Sequence, residues 1–113
     1  MRPHSRGQVR LDGAGLLIEH RYDSSPADVE SLRTATELAR ELAGPAVSGE
    51  PSWATSQHLC GTAKMGAVVD TRCRVIGVDG LSVVDGSILP EIPSRGPHAT
   101  IVMIGHRAAD FMV

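Results

Sequence analysis

The 113-residue chain carries 11 Lys and Arg against 13 Asp and Glu, a formal net charge of -2, and 42% of its residues are hydrophobic. That is enough apolar material for one modest core, and the charge balance gives no electrostatic case for nucleic-acid binding. No apolar run reaches the ~18 residues that cross a bilayer, and the N-terminus lacks the apolar centre of a signal peptide, so a cytoplasmic location is expected.

The first expected element is a strand in which Val9 and Leu11 alternate with Arg10 and Asp12, the two-residue period of a half-buried strand. Asp12-Gly13 reads as a turn and Leu16-Leu17-Ile18 as the partner strand. A helix is predicted over Ser25–Ala43. Ser25 suits its cap, Pro26 its first position, and Asp28 stands three residues after the cap. Val29, Leu32, Ala35, Ala39 and Leu42 form one apolar stripe, and Gly44-Pro45 ends the helix. Residues 46–56 read as a loop. Val68-Val69-Asp70, Cys73–Val78 and Leu81–Val84 read as short strands, the last two joined at Asp79-Gly80. Gly96-Pro97 opens a final helix from about Ala99 to Met112. Its apolar residues (Ile101, Val102, Ile104, Ala108, Ala109, Met112) nearly encircle the first turns, which predicts burial. Twelve glycines and seven prolines favour a loop-rich lobe over a helix bundle.

Two stretches carry the residue types of chemistry. His58-Leu-Cys-Gly-Thr-Ala-Lys-Met-Gly66 joins an imidazole to two glycines and a hydroxyl, and Ser94-Arg-Gly-Pro-His98-Ala-Thr100 puts a second imidazole where the last helix starts. Two histidines from separate irregular segments suit a general acid/base pair, because imidazole exchanges protons near neutral pH. Gly61 and Gly66 would let the backbone bend closely around a flat ligand. A helix start attracts negative charge, including charge developing on a reduced ring system. Read alone, His58 also fits a structural histidine bonded to a backbone carbonyl, and His98 a surface histidine. His106 is expected to face solvent, and His4 and His20 have no supporting neighbours.

Other chemistries fit less well. His58, Cys60 and Cys73 give three ligands at poor spacing where zinc wants four, so no metal is expected and the two cysteines read as reduced thiols. Cys60 lacks an evident base and orienting group for nucleophilic work. Ser87 lacks the Gly-x-Ser-x-Gly context of a nucleophile elbow. Gly77 and Gly80 do not make a Gly-x-Gly-x-x-Gly dinucleotide fingerprint.

The order of motifs resembles the C-terminal region of the glucose–methanol–choline (GMC) oxidoreductases over nearly the whole chain. Pro3-His-Ser-Arg-Gly7 resembles the family's Pro-x-Ser-Arg-Gly strand, and His58-x-x-Gly61-Thr62-x-x-Met65-Gly66 its histidine segment. Val69-Asp70, then Arg74-Val75-x-Gly77-Val78-x-Gly80-Leu81-x-Val83-x-Asp85-x-Ser87-x-x-Pro90, is similar to its second signature. Pro97-His98-x-Thr100 and the closing helix complete the order. Ala63-Lys64 departs from the Cys-Arg of many members, and a lysine does not copy arginine's forked hydrogen bonding. The Ser94–Thr100 run is similar to that of actinobacterial members, the mycofactocin-associated group among them.

The resemblance implies an α+β fold: antiparallel substrate-domain strands with a covering helix (residues 1–84), then the last strand and helix of an FAD-binding α/β domain (the flavin-facing residues 85–113). It implies FAD as cofactor and oxidation of an alcohol CH–OH group. His58 would take the hydroxyl proton and His98 would hydrogen-bond the substrate oxygen. Asp85, Gly86, Ala99 and Thr100 would lie along the cofactor. It also implies an N-terminal FAD-binding Rossmann domain, in cis or in trans, ahead of Met1. A catalytically inactive truncated fragment or interaction module lacking FAD is the alternative expectation.

Overall fold

The computed structural model describes residues 2–44, 49, 52 and 54–112. They divide into two compact units, Pro3–Ala54 and Thr55–Val113.

The first unit holds strands β1 (Gln8–Asp12) and β2 (Gly15–Glu19) and helix α1 (Pro26–Ala43). The strands pair antiparallel, with Val9 opposite Ile18 and Leu11 opposite Leu16. Gly13-Ala14 is the loop, and the Asp12 carboxylate accepts the Ala14 N–H at 2.9 Å, a local bond that favours turning. Directly opposed residues share a face, so these four apolar side chains line one side of the hairpin. That side is uncovered among the described residues: Leu11 is 81% and Leu16 65% exposed.

α1 begins at Pro26 after Ser25, as the sequence predicts, but the Ser25 side chain makes no capping bond. The N-terminal segment does this work. The Asp28 carboxylate accepts N–H groups from His4 (2.9 Å) and Ser5 (2.6 Å), and the Ser5 hydroxyl accepts the Ser25 N–H at 3.1 Å. In a capping box the third-residue carboxylate would turn back to the cap N–H. Ser5 takes that N–H instead, and the carboxylate is released for the two upstream donors. The His4 N–H is the largest cause of a fall in the Asp28 pKa to about 2. At the other end Gly44 takes φ +58 and donates its N–H to Arg40 O. Of the predicted stripe, Val29 and Leu32 are half-buried, while Ala35, Ala39 and Leu42 are exposed. The hairpin does not cover the rest of the stripe, because β1 and β2 pack closely on each other and not along α1. Most of the loop expected over 46–56 lies outside the described residues.

The second unit is built on Val69, Cys73, Ile88 and Ala108, with Met65, Val75, Val83, Val84 and Ile104 packed against them. Ile88 is 1% exposed, and full burial of such a side chain is worth about 1.5–3 kcal/mol. The three short strands predicted here reduce to isolated bridges, Met65 with Val69, Val69 with Val75 and Arg74 with Ser82. The reason is local. Asp70 Oδ1 accepts the N–H groups of Arg72 (2.8 Å) and Arg74 (3.0 Å), which removes two donors from any ladder. The turn at Asp79-Gly80 stands, with the Val75 N–H on Leu81 O at 2.9 Å and the Val83 N–H on Cys73 O at 3.0 Å.

A single 3-10 turn, Gly86–Ile88, follows and is capped by Asp85, whose Oδ1 accepts the Ser87 N–H at 2.7 Å. Helix α2 runs His98–Ala109, one residue earlier than predicted at its start and three residues short of Met112 at its end. Its expected all-round burial is not seen. Ala108 is buried, Ile101 and Ile104 are half-buried, and Val102, Met103 and Ala109 are exposed, because the second unit covers only one side of the helix. After it, Phe111 lies under the Arg107 guanidinium at 4.8 Å, and Arg107 pairs with Asp110 at 2.8 Å.

Candidate active site

All six residues singled out from the sequence fall in the second unit, on three segments. The histidine segment, 58–66, is fastened along the 3-10 turn by its backbone. Gly61 and Ala63 both donate N–H groups to Ser87 O at 3.0 Å, and Met65 donates to Ile88 O at 2.9 Å. Gly61 holds φ +92, a left-handed conformation that brings its N–H onto Ser87 at little cost to a glycine.

The 3-10 turn in turn meets α2. A Cβ on Gly86 would lie 3.0 Å from Ile101 Cδ1 and 3.9 Å from Leu59 O, so the three segments approach closely at this glycine. Asp85 and Gly86 are thereby joined to α2's first turns, where Ala99 and Thr100 stand.

The loop before α2 meets His58. A Cβ on Gly96 would lie 3.7 Å from His58 Cε1, which sets the imidazole against the backbone two residues ahead of His98. Pro97 is buried and serves as the α2 cap residue, and no side chain caps the helix. Its first-turn N–H groups therefore have neither an intrahelical acceptor nor a capping side chain. His58, His98 and Ala99 are exposed and Thr100 is half-buried. The arrangement offers two imidazoles for proton exchange or hydrogen bonding, and beside them a helix start that favours negative charge. An electron-rich ring edge that gains charge on reduction fits such a start.

Neighbours outside the six candidates border the site. Ser87 contributes its carbonyl, and Gly96 contributes a bare backbone for the His58 ring. Gly96 lay inside a motif already noticed, but its contact joins residues far apart in the chain. Upstream of His58, Gln57 takes φ +60 and donates its N–H to Thr55 Oγ1 at 3.0 Å. Cys60, half-buried, directs its Sγ to His58 O at 3.5 Å, and burial raises its thiol pKa. Both cysteines are free, and among the described residues no three His, Cys, Asp or Glu groups gather to hold a metal ion.

The family model for the C-terminal part of GMC oxidoreductases matches residues 3–105. The chain belongs to the GMC oxidoreductase family. It is similar over its full length to an uncharacterized GMC-type oxidoreductase of Rhodococcus erythropolis (41% identical) and to an oxygen-dependent choline dehydrogenase of Brucella anthropi (34%). It covers only 28% and 27% of these relatives. Among solved structures, pyridoxine 4-oxidase from Mesorbium loti matches 96% of the chain with a TM-score of 0.79 at 29% identity. A fungal aryl-alcohol oxidase matches 96% with a TM-score of 0.73, also at 29% identity. The chain covers 27% and 23% of those two structures. The α+β GMC fold follows from this membership. The chain spans little more than a quarter of the curated relatives it matches. Among its described residues no helix is long and apolar enough to cross a membrane.

Proposed function

We propose that this chain is the C-terminal part of an FAD-dependent oxidoreductase that oxidises the CH–OH group of an alcohol. The observation that carries the reading is the His58 ring lying against Gly96, beside the uncapped start of α2. Relatives named for choline, pyridoxine and aryl alcohols favour the same substrate class.

In this reading an unprotonated ring nitrogen of His58 takes the hydroxyl proton as the alcohol is oxidised. His98 hydrogen-bonds the substrate oxygen and keeps the reacting carbon oriented. Asp85, Gly86, Ala99 and Thr100 hold the flavin, the helix start through its N–H groups. Bound flavin supplies the hydride acceptor for the carbinol carbon. The functional division then falls at Asp85, with 1–84 mainly on the substrate side and 85–113 facing the cofactor. Without a dinucleotide fingerprint of its own, this chain relies on an N-terminal FAD-binding domain, in cis or in trans, to grip the rest of FAD.

The test joins the chain to the N-terminal portion of its Rhodococcus relative, supplies FAD, and follows alcohol-dependent reduction of a dye. Turnover is expected, and His58→Ala should lower kcat by about 10²–10⁴-fold, the usual worth of a positioned general base. Full turnover by His58→Ala would remove His58 from its assignment. A colourless, inactive assembly would favour an interaction module instead.

A further inference from the structure

We propose that Asp85 is a positioning residue for the histidine segment: its carboxylate locks the 3-10 turn whose carbonyls hold Gly61, Ala63 and Met65. The functional weight of that role rests on the reading of His58 as the proton acceptor. The lock acts where the backbone is loosest. Asp85 is extended, at φ -150 and ψ -169, and its Oδ1 accepts the Ser87 N–H at 2.7 Å. That N–H belongs to the peptide between Gly86 and Ser87. Glycine restrains its own backbone less than any other residue, so the direction of this peptide needs an outside partner. The carboxylate is that partner.

The effect passes on through rigid planes. In a trans peptide the C=O points opposite to the N–H, and no peptide bond here is cis. Aiming the Ser87 N–H at Asp85 therefore aims Gly86 O away from it, onto the Leu89 N–H at 3.2 Å. The Leu89 N–H shares its own plane with Ile88 O, which accepts the Met65 N–H at 2.9 Å. Two peptide planes thus connect the carboxylate to the histidine segment. The plane between them carries Ser87 O, the acceptor for Gly61 and Ala63, and its N–H, from Ile88, is held by the Asp85 carbonyl at 3.3 Å. These turn bonds of 3.2 and 3.3 Å lie at or beyond the long end of the N–H···O range, whereas a 2.7 Å bond to a carboxylate is charge-assisted and roughly twice as strong. Burial of Ile88 seats the turn in the core without directing its carbonyls. Oδ1 is committed to this bond, and Oδ2 is the oxygen that remains for the flavin.

Backbone amide exchange on the 113-residue chain, without FAD, tests the path. Asp85→Ala removes the acceptor. It should speed exchange at Met65 and Leu89 about fivefold, the usual worth of a cap, and at Gly61 and Ala63 about twofold. The Val75 and Val83 amides, bonded to Leu81 O and Cys73 O, should change by less than about 1.5-fold and so show that the second unit stays folded. Asp85→Asn and Asp85→Ser keep a capping oxygen and should bring Met65 back to within about twofold of wild type.

Unchanged Met65 exchange in Asp85→Ala would overturn the proposal and leave the turn to the packing of Ile88. Equal losses in all three variants would overturn it too, because the acceptor would then not matter. So would a matching loss at Val75 and Val83, which would make Asp85 a support of the whole unit. Exchange reports the docking of the segment whether or not His58 handles a proton. The expected exchange pattern beside a fully active His58→Ala enzyme would sink the functional reading alone. Unchanged exchange beside an inactive His58→Ala enzyme would sink the positioning alone.

Discussion

Two glycines of the site are expected to fail differently when a methyl group is added. At Gly61 there is room, since the nearest atom to a new Cβ is Leu89 O at 3.5 Å, but φ is +92. Gly61→Ala therefore forces strained backbone and should cost about 1–2 kcal/mol. Gly86 has no positive φ, and its 3.0 Å neighbour is the mobile end of Ile101, which can turn aside. Gly86→Ala should cost less, under about 1 kcal/mol. Urea midpoints of the two variants check the order, and an equal or reversed ranking would refute it. The thiols give a second prediction at this scale. Burial raises the Cys60 pKa, and burial followed by the Asp70 charge raises that of Cys73. Since thiolate is the reactive form, both should label slowly with a disulfide reagent at pH 7. Cys60, half-buried where Cys73 is buried, should label first. Cys60→Ala should abolish the faster phase.

The start of α1 carries a pH-dependent element. Asp28 is 5% exposed, and its carboxylate holds the His4 and Ser5 N–H groups, with its pKa lowered from 3.8 to about 2. A depressed carboxylate pKa contributes stability that is complete above the unfolded value and is lost as pH falls through the folded one. The loop Pro3–Ser5 should therefore stay docked at pH 5 and loosen between about pH 4 and 2. The His4 and Ser5 amide shifts would report it, and Asp28→Asn should flatten that titration. In the second unit, Ile88→Ala should cost about 2–5 kcal/mol, because a buried side chain leaves a cavity among Val69, Cys73 and Ala108. An effect under about 1 kcal/mol would mean that Ile88 is not the centre of that core. The sequence carried α1, the hairpin and the Asp79-Gly80 turn because each has local chemistry: Pro26 at a helix start, a two-residue alternation, a turn dipeptide. It did not carry the loss of the three short strands, since the Asp70 side chain competes for backbone donors in a way that periodicity does not register. The six candidate residues were legible through motif order. The contact of His58 with Gly96, and the use of Ser5 rather than Ser25 at the α1 start, required segments that meet only in three dimensions.

For the whole molecule, the decisive quantity is how much apolar surface the chain leaves without cover. Leu11, Leu16, Val102 and Met103 are all more than half exposed, and the chain accounts for 28% of its Rhodococcus relative. Uncovered apolar surface on each unit signals association, and a partner that binds only the folded form stabilises it by mass action. The N-terminal portion of that relative, supplied in trans, should therefore raise the chain's thermal midpoint, and the shift should grow with partner concentration. Under the proposed function, FAD should add to the shift only when both pieces are present, because the proposed flavin contacts are a helix start and a 3-10 turn and the sequence carries no dinucleotide fingerprint. The chain alone should pass through gel filtration without retaining flavin absorbance, and the mixture should keep it. If the isolated chain retains FAD as firmly as the mixture does, the proposed division of cofactor binding between two polypeptide regions is wrong. The Asp85–Thr100 region would then have to supply a complete cofactor site by itself.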